Sequence, residues 1–401
     1  MVGLTRLAIV VSHPIQYYAP LFRQLAQRVD LTVYFAHRAT SADQARAGFG
    51  VAFDWDVDLL SGYRHVFLPN VAKRPSLAHF SGCDTPSIRE HIEKGSFHAV
   101  IVTGWHLKTF LQTAIAAKRC RIPVLARGDS QLRTPRSILK KFVKSATYSA
   151  FLRLFNGGLY VGDRSREYWL HFGYPEPRLF FSPHCVDTEW FAARATTESG
   201  TVLRSQLGLP EDARVVLFAG KLLPYKRPLD IISAAAQLKC DGIKVSVLIA
   251  GSGPLESEMD TAAKAKGVAI YRLGFRNQTE MPAVYAAADV LVLPSDGHET
   301  WGLVANEALA CGKPIIVSDA VGCAPDLAAD RTAGQVFPMG DVFDLARALK
   351  EVLFNPPKPR AIAIKSEAYS IRAAIDGIMA ALDAKVVMKP PRVRSATEPF
   401  R

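Results

Sequence analysis

The chain has 401 residues, 49% of them apolar and 21% charged, which is the composition of a globular protein long enough for two or three domains. It contains no run of about 18 apolar residues, so no membrane-spanning helix is expected. Its six cysteines stand too far apart for zinc-type spacing and fit a reducing, cytoplasmic compartment. Nearly all of the net charge of +12 lies in residues 1–187, which hold 24 Lys/Arg and 13 Asp/Glu. This excess either reflects solubility alone or indicates an anionic partner: a phospholipid surface, a phosphorylated acceptor or nucleic acid.

Short apolar runs alternate with helical patterns along the first half of the chain. The predicted strands cover 7–12, 31–35, 99–103, 123–126 and 159–161. The predicted helices lie near 18–28, 86–94, 107–119, 136–155 and 164–172. Near-continuous apolar strands separated by helices indicate a parallel sheet that is covered on both faces.

The second half repeats this alternation after a polar, weakly periodic stretch at 186–210, which we interpret as the seam between two domains. Its predicted strands cover 215–219, 245–250, 269–273, 290–293 and 315–318. Its predicted helices lie near 227–238, 254–266, 279–288, 303–311, 341–354 and 366–384.

The pattern predicts an α/β protein with two doubly wound, Rossmann-like domains that face each other across a cleft. We place the first domain at 1–190, the second at 191–358, a C-terminal helix that packs back toward the first domain within 359–384, and a disordered basic tail at 385–401. Ligands of such sheets bind outside the carboxyl ends of the strands, so the loops after each strand are the places to search.

Two strand-end loops of the second half suit phosphate groups. Gly220, Lys221 and Lys226 follow the strand at 215–219, where a glycine allows close backbone approach and two lysines can reach two phosphates. Gly251-Ser-Gly-Pro254 follows the next strand and either holds an anion or, as we favour, forms a tight connection to the next helix.

A third loop, after the strand at 290–293, carries the most information. Glu299 stands just before a predicted helix, and the free amides of residues 301–304 suit a phosphate. Glu307 lies further inside that helix, where its carboxylate can accept two hydrogen bonds from a ribose diol. Taken singly, an N-capping Glu299 and a solvated Glu307 would explain the same residues.

Taken together, these loops resemble glycosyltransferase family 4, which has the GT-B fold. The chain reads Glu299-Thr-Trp-Gly-Leu-Val-Ala-Asn-Glu307 and continues Ala-Leu-Ala-Cys-Gly-Lys-Pro314, close to the family signature of two glutamates separated by seven residues. The resemblance covers about residues 200–355. Thr300 and Trp301 replace the usual Gly-Phe, and Lys221 stands where arginine is common, which leaves the donor sugar open.

The resemblance implies a role for each motif. Glu299 would bind the transferred sugar, Glu307 the ribose, and Lys221 and Lys226 the pyrophosphate of a UDP- or GDP-sugar. The further donor-binding residues that it implies are Gly220, Gly274, Phe275, Arg276, Trp301, Gly302, Leu303 and Val304. It also implies transfer to a glycan or lipid-linked acceptor with retention of configuration, in cell-surface polysaccharide or glycolipid assembly, without a metal or other cofactor.

The first half matches the family more loosely, in a branch with a His-Pro-Ile-Gln-Tyr loop after the first strand. His106 follows another strand, where the family commonly has a histidine that touches the donor sugar, so we group it with Lys221, Lys226 and Glu299 as catalytic. The candidates for the acceptor side are His13, Tyr17, Arg127 and Asp129, each of which a purely structural role would also explain.

Two further features of the first half invite a functional interpretation. Asp54-Trp-Asp56 resembles the metal-binding motif of other glycosyltransferases, but it lies outside the donor-binding half, and we interpret it as strand-edge or loop carboxylates. Residues 131–155 hold six Lys/Arg and no acid. On a helical wheel Ile138, Leu139, Phe142, Val143 and Ala146 share one face, and Arg136, Lys140, Lys141 and Lys144 share the opposite one.

The basic helix fits either contact with an anionic membrane or ordinary packing of its apolar face on the sheet. We therefore expect a cytoplasmic protein, with peripheral contact to the inner face of the membrane as one interpretation. A GT-B sugar-nucleotide epimerase, a catalytically inactive sugar-binding relative and a basic nucleic-acid-binding protein are the alternatives. The last is disfavoured because no recognition helix, zinc or aromatic RNA-binding motif accompanies the charge, and no nucleic-acid partner is expected.

Overall fold

The computed structural model describes residues 4–45, 48 and 50–384, apart from the side chains of 139–143 and 146. The tail at 385–401, predicted to be disordered, lies outside the described residues. No helix in the described part of the chain is both long and apolar enough to cross a membrane.

The first domain is built on a sheet of seven parallel strands. They are β1 (Arg6–Val11), β2 (Asp30–Phe35), β3 (Arg64–Phe67), β4 (Ala99–Val102), β5 (Val124–Gly128), β6 (Gly157–Tyr160) and β7 (Leu179–Phe181). Their order across the sheet is β3-β2-β1-β4-β5-β6-β7. The helices of this domain are α1 (Tyr18–Leu25), α2 (Ser41–Gln44), α3 (Ile88–Lys94), α4 (Lys108–Arg119), α5 (Ile138–Leu152) and α6 (Asp163–His171).

The second domain has a sheet of six parallel strands. They are β8 (Arg214–Ala219), β9 (Val245–Ala250), β10 (Ala269–Gly274), β11 (Val290–Leu293), β12 (Ile315–Ser318) and β13 (Gly334–Phe337), in the order β10-β9-β8-β11-β12-β13. Its helices are α7 (Thr188–Arg194), α8 (Thr197–Gln206), α9 (Pro228–Cys240), α10 (Glu256–Lys266), α11 (Met281–Ala287), α12 (Leu303–Ala310), α13 (Ala324–Leu327) and α14 (Val342–Phe354).

Both sheets are buried on both faces, which explains why their strands are almost continuously apolar. Along β1, Ala8 and Val10 join one hydrophobic core, whereas Leu7, Ile9 and Val11 join the core on the opposite face. The strands of the second domain alternate in the same way: Val215 and Leu217 point to one side of β8 and Val216 and Phe218 to the other. The predicted two-domain, doubly wound GT-B class is confirmed by this architecture.

The chain passes between the domains twice. Cys185 belongs to the core of the first domain and Val186 to that of the second, and α7 packs on α11 and α12. The predicted helix at 366–384 is two helices, α15 (Pro359–Ala368) and α16 (Ile371–Asp383), because Ser370 caps a new helix by accepting a bond from Ala373 N. α15 packs on α12, and α16 packs on α1, β6 and β7 of the first domain.

The strand order of each sheet fixes where a ligand can enter. In the second domain the connections reverse direction between β8 and β11, and in the first domain between β1 and β4. The carboxyl ends of strands at such a switch point flank a crevice that suits a ligand. The loops after β8 and β11, which carry Lys221 and Glu299, therefore stand side by side facing the first domain.

Candidate active site

The loop after β8 brings two lysines to the crevice. Gly220 directly follows the strand with φ of 145°, a backbone conformation that favours glycine. A one-turn 3₁₀ helix, Pro224–Lys226, then places Lys226 just before α9. Burial lowers the pKa of Lys221, and the neighbouring charge of Lys226 lowers it further. Both lysines line a cavity of about 360 Å³ between the domains.

The Gly-Ser-Gly-Pro turn after β9 supports this loop. A Cβ on Gly251 would lie 1.9 Å from the carbonyl oxygen of Gly220, so only glycine allows the two loops to approach this closely. Leu222 N donates to Ser252 O at 2.9 Å. The tight connection favoured from the sequence is therefore present, and Gly251 and Ser252 also line the cavity.

The loop after β11 places Glu299 against the lysines. Lys226 Nζ forms an ion pair with the Glu299 carboxylate, and the two side chains are only 13% and 14% exposed. Ser295 Oγ donates to the same carboxylate at 3.4 Å. Lys226 and Glu299, which are 73 positions apart in the chain, thus meet in the lining of the cavity.

The start of α12 also faces the cavity. Gly302 precedes the helix with φ of 98°, and a Cβ there would lie 2.4 Å from Leu293 Cδ2, so the turn requires glycine. Leu303 and Val304 line the cavity at the N-terminus of the helix, where backbone N–H groups have no partner inside the helix. This arrangement suits the oxygens of a phosphate.

Trp301 occupies a different place from the donor-binding position predicted for it. Its indole is 4% exposed and does not line the cavity. The indole N–H donates to Asn306 Oδ1 at 2.8 Å, and the ring packs between His184 and Tyr369. The larger ring is accommodated because it fills the contact between the domains instead of entering the cavity.

Glu307 lines the cavity one turn inside α12. Tyr285 Oη donates to its Oε2 at 2.6 Å. Burial raises the pKa of Glu307 to about 7, although the tyrosine hydrogen bond acts in the opposite direction. A carboxylate of this kind changes its protonation close to neutral pH.

The far side of the cavity is formed by the loop after β10. Phe275 and Arg276 line it, whereas Gly274 shapes the turn with φ of 69° and does not line it. Arg276 Nη1 donates to Glu280 Oε1 at 2.6 Å, and Arg276 Nε is buried without a hydrogen-bond acceptor among the described residues. β10 is an edge strand, and β9 and β8 lie between it and β11, so this wall lies across the ends of the sheet from the loop that carries Glu299.

A second cavity, of about 270 Å³, lies on the first-domain side of the crevice. It is lined by Tyr17, His106, Arg127 and Asp129, and Tyr17 also lines the larger cavity. Burial lowers the pKa of His106, which therefore favours the neutral imidazole. His13 lines neither cavity; its ring lies 2.9 Å from Ser12 Oγ, and burial lowers its pKa to about 4.

Arg127 and Asp129 differ in how they face this second cavity. The Arg127 guanidinium is buried and donates to Tyr18 Oη at 3.1 Å and to Pro183 O at 2.6 Å, so it braces the chain crossing. Asp129 accepts a 2.5 Å bond from Thr300 Oγ1 of the second domain and lies 3.8 Å from His184 Nε2. Burial acts to raise the pKa of Asp129, but these two neighbours outweigh it and hold the pKa below its usual range.

Three buried residues that the sequence did not single out as site residues join the domains here. Gln131 Nε2 donates to the carbonyls of Gly297 and Glu299 at 3.2 and 3.1 Å, and so supports the loop that carries Glu299. Arg164 donates to Gln131 Oε1 and to three backbone carbonyls after β12. Asp326 accepts from Asp163 N at 3.0 Å. Only the strand-end position of Arg164 gave a signal in the sequence.

In the structure, the exposed and buried faces of the basic helix α5 differ from those that the helical wheel predicts. Ile138, placed on the apolar face, is 87% exposed. Lys144, placed on the opposite polar face, is half-buried with Nζ 4.3 Å from the ring centroid of Tyr148 and 4.9 Å from that of Tyr168. The prediction for Lys144 is therefore wrong, because two aromatic rings on the inner side of the helix attract the ammonium group. The side chains of Leu139, Lys140, Lys141, Phe142, Val143 and Ala146 lie outside the described set.

In the part of the chain that the structure describes, the cavities hold no candidate metal centre. Among residues 4–45, 48 and 50–384, no group of three or more His, Cys, Asp and Glu side chains could hold a metal ion. The larger cavity is instead lined by three basic side chains and two glutamates, together with the start of α12: Lys221, Lys226, Arg276, Glu299 and Glu307.

Known proteins resemble part of this chain in sequence and nearly all of it in fold. Residues 201–369 match the family model described as glycosyl transferases group 1. Among curated proteins, the D-inositol 3-phosphate glycosyltransferases of Mycolicibacterium smegmatis and Geodermatophilus obscurus are 32% and 34% identical over 229 and 236 residues. These matches take in 55% and 56% of this chain, which spans only about half the length of either relative, 48% and 51%.

Solved structures extend the likeness to nearly the full chain. HepE of Anabaena in complex with UDP has a TM-score of 0.69 at 18% identity, covering 94% of this chain and 99% of that one. A glycosyltransferase from Rickettsia africae has a TM-score of 0.73 at 13% identity, covering 97% and 100%. At these identities the comparison establishes the fold. Residues 201–369 thus match the glycosyl transferases group 1 family in sequence, and the chain as a whole has a GT-B architecture of two facing domains.

Proposed function

We propose that this protein transfers a sugar from a nucleoside-diphosphate donor to a glycan or lipid-linked acceptor with retention of configuration. One observation carries the proposal: Lys221, Lys226, Glu299, Glu307 and the start of α12 line a single cavity between the domains. The distribution of charge suits such a donor, because lysines and helix amides can hold a diphosphate while carboxylates accept hydrogen bonds from sugar hydroxyls.

In this proposal the protein stabilises the charge of the leaving group. Lys221, Lys226 and the amides of Leu303 and Val304 hold the diphosphate as negative charge develops on its oxygens. The acceptor oxygen bonds to the anomeric carbon on the face that the diphosphate leaves, and the acceptor proton passes to a leaving phosphate oxygen. Glu299 orients the sugar, Glu307 holds the ribose, and His106 contacts the sugar from the first domain.

Independence of a divalent metal is part of the proposal, since two lysines and a helix N-terminus can supply the positive charge. The test is the transfer rate after dialysis against EDTA, with and without added Mg²⁺ or Mn²⁺. Equal rates are expected; a rate that depends on the added metal would overturn this part.

The donor is identified by a panel of UDP- and GDP-sugars tested for protection against thermal unfolding, because a ligand that binds only the native state raises the midpoint. Transfer is then measured with acceptors that include D-inositol 3-phosphate, the compound for which the curated relatives are named. A donor-only reaction separates transfer from the epimerase alternative, which would release free nucleoside diphosphate without an acceptor. Failure of every donor to protect the protein would contradict the proposal.

We also propose a cytoplasmic protein that contacts the inner face of the membrane through residues 131–155. The exposed Ile138 and the basic composition of this segment, apart from Lys144, which packs inward, support contact with an anionic lipid surface. Flotation with vesicles of phosphatidylglycerol tests it: binding that decreases with salt is expected, and Ile138→Asp should weaken it. Equal recovery with neutral vesicles would contradict an anionic surface.

A further inference from the structure

An extended segment of the first domain reaches the donor cavity from the opposite side. Between α2 and β3, residues 53–56 alternate in exposure: Phe53 and Trp55 are partly buried, whereas Asp54 and Asp56 are exposed. We name residues 53–56 the strap. Trp55 lines the same cavity as Lys221 and Glu307.

Hydrogen bonds fasten the strap to the loop after β10. Asn277 Nδ2 donates to the backbone oxygen of Asp54 at 2.8 Å. Thr279 N donates to both carboxylate oxygens of Asp56, at 3.2 and 3.1 Å, and Thr279 Oγ1 donates to the same carboxylate. Asp54 and Asp56, interpreted from the sequence as strand-edge or loop carboxylates, thus join the two domains, Asp54 through its backbone oxygen and Asp56 through its carboxylate.

Aromatic rings fill the space behind these bonds. The rings of Phe53 and Phe275 lie with centroids 4.1 Å apart and planes 34° from parallel, and Phe53 meets Trp55 edge-on at 5.0 Å. Trp55, Phe275 and Met281 therefore give this end of the cavity aromatic and apolar walls.

The order of the strands separates this aromatic end from the charged end. Across the sheet, the loops after β11 and β8 carry Glu299 and Lys221, and the loop after β10 carries Phe275. A diphosphate held by the lysines would leave the other end of the cavity for the remainder of the nucleotide. A flat heteroaromatic base is the part of a nucleotide that aromatic side chains bind well.

We propose that the strap completes the base site of the nucleoside-diphosphate donor, with the Trp55 indole as the wall supplied by the first domain. This inference rests on the proposed function, since it needs a nucleotide in the cavity. The base is then held between the two domains, and the contacts of Asp56 with Thr279 keep Trp55 in place.

Equilibrium binding of UDP, GDP and inorganic pyrophosphate to the full chain tests the strap. Trp55→Ala should lower the affinity for UDP or GDP by about tenfold, in keeping with a lost base–aromatic contact. The affinity for pyrophosphate should stay unchanged. Trp55→Phe keeps a ring and should retain most of the affinity. Asp56→Ala should weaken the same nucleotide, whereas the matched control Asp58→Ala should not, because Asp58 accepts bonds from Leu60 N and Ser61 N of its own loop.

The outcomes separate the strap from the proposed function. If UDP or GDP binds the parent protein and Trp55→Ala equally well, the strap proposal is wrong and the donor site stands. If Trp55→Ala lowers the affinity for pyrophosphate as much as the affinity for the nucleotide, Trp55 affects diphosphate binding or the stability of the fold. The proposal is then also wrong. If neither nucleotide binds the parent protein, the proposed function fails and the strap proposal fails with it. Thermal unfolding of each variant shows that the fold is kept.

Discussion

Thr300 of the second domain donates a hydrogen bond of 2.5 Å to Asp129 at the end of β5 in the first domain. This bond joins the loop that carries Glu299 to the wall of the smaller cavity, where His106 also lies. It depends on a threonine at a position where the resembling family usually has glycine. The two sides of the crevice are therefore tied together next to the place proposed for the transferred sugar.

Removing this hydroxyl should affect transfer more than nucleotide binding. We expect Thr300→Val to lower kcat by about tenfold, because a hydrogen bond to an ionised group contributes about 1.5–3 kcal/mol. UDP affinity should change little, since Thr300 does not line the larger cavity. The measurements are steady-state kinetics and calorimetric UDP binding. Thr332→Val is the matched control, because Thr332 bonds to Asp330 within its own loop; an equal loss of kcat in both variants would contradict the interpretation.

The ion pair of Lys226 with Glu299 predicts that removing the glutamate has a large effect on the transfer rate and a small one on folding. Glu299→Ala should lower the transfer rate by at least about a hundredfold, the scale seen when one group that stabilises a transition state is removed. The variant should keep the circular dichroism spectrum of the parent. Glu258→Ala on α10 provides a control on an outward-facing helix position. Transfer by Glu299→Ala at the parent rate would remove this residue from the site.

The raised pKa of Glu307 predicts that the affinity for the nucleotide depends on pH. Its pKa near 7 means that the carboxyl is protonated at pH 6 and ionised at pH 8. In the proposed site the ionised form accepts two ribose hydroxyls, so UDP affinity should rise across this interval. Isothermal titration at several pH values measures it. Glu307→Gln cannot ionise and should show a flatter profile; identical profiles in both proteins would assign the pH dependence to another group.

The raised pKa of Asp326 predicts that the free energy of unfolding falls as pH rises. Burial raises the pKa of Asp326 to about 7, so the native state keeps a proton that the unfolded chain loses near pH 4. The contribution is therefore complete below pH 4 and is lost as pH approaches and passes 7. Between pH 5 and pH 7.5 this group should lower the free energy of unfolding by about 2 kcal/mol.

Chemical denaturation at these two pH values measures the effect. Asp326→Asn keeps a side-chain oxygen for Asp163 N and Tyr369 Oη, and lacks the titrating proton. The difference in unfolding free energy between the two pH values should therefore be smaller in the variant by about the same amount. Parallel pH dependence in the two proteins would show that Asp326 has the same pKa in both states.

Much of the fold was predictable because it depends on local pattern. Buried strands such as Val245–Ala250 and Val290–Leu293 were placed with their observed bounds. The strands that were not predicted are β3, β7 and β13, all at sheet edges. β3 is half-exposed and contains Arg64 and His65, and β13 begins with Gly334 and Gln335, so neither carries a continuous apolar run. β7 is apolar but only three residues long.

The same distinction applies to the site. The lysines and glutamates of the second domain lie in strand-end loops, and each could be found from its neighbours in the sequence. The contacts between domains have no such pattern: Gln131 reaches Glu299 across 168 positions, and Asp56 reaches Thr279 across 223. A glutamine or an aspartate in a loop has many structural uses, so only the folded chain shows what these residues hold.

The support that Gln131 gives to the Glu299 loop has a consequence for dissecting the protein. A fragment limited to the second domain would keep both lysines and the start of α12, yet it would lose the amide that holds the carbonyls of Gly297 and Glu299. Such a fragment would present the glutamate on an unsupported loop. The second domain is thus not a self-sufficient module, and the end proposed to hold the sugar is organised only when the two halves are produced as one polypeptide or reassembled.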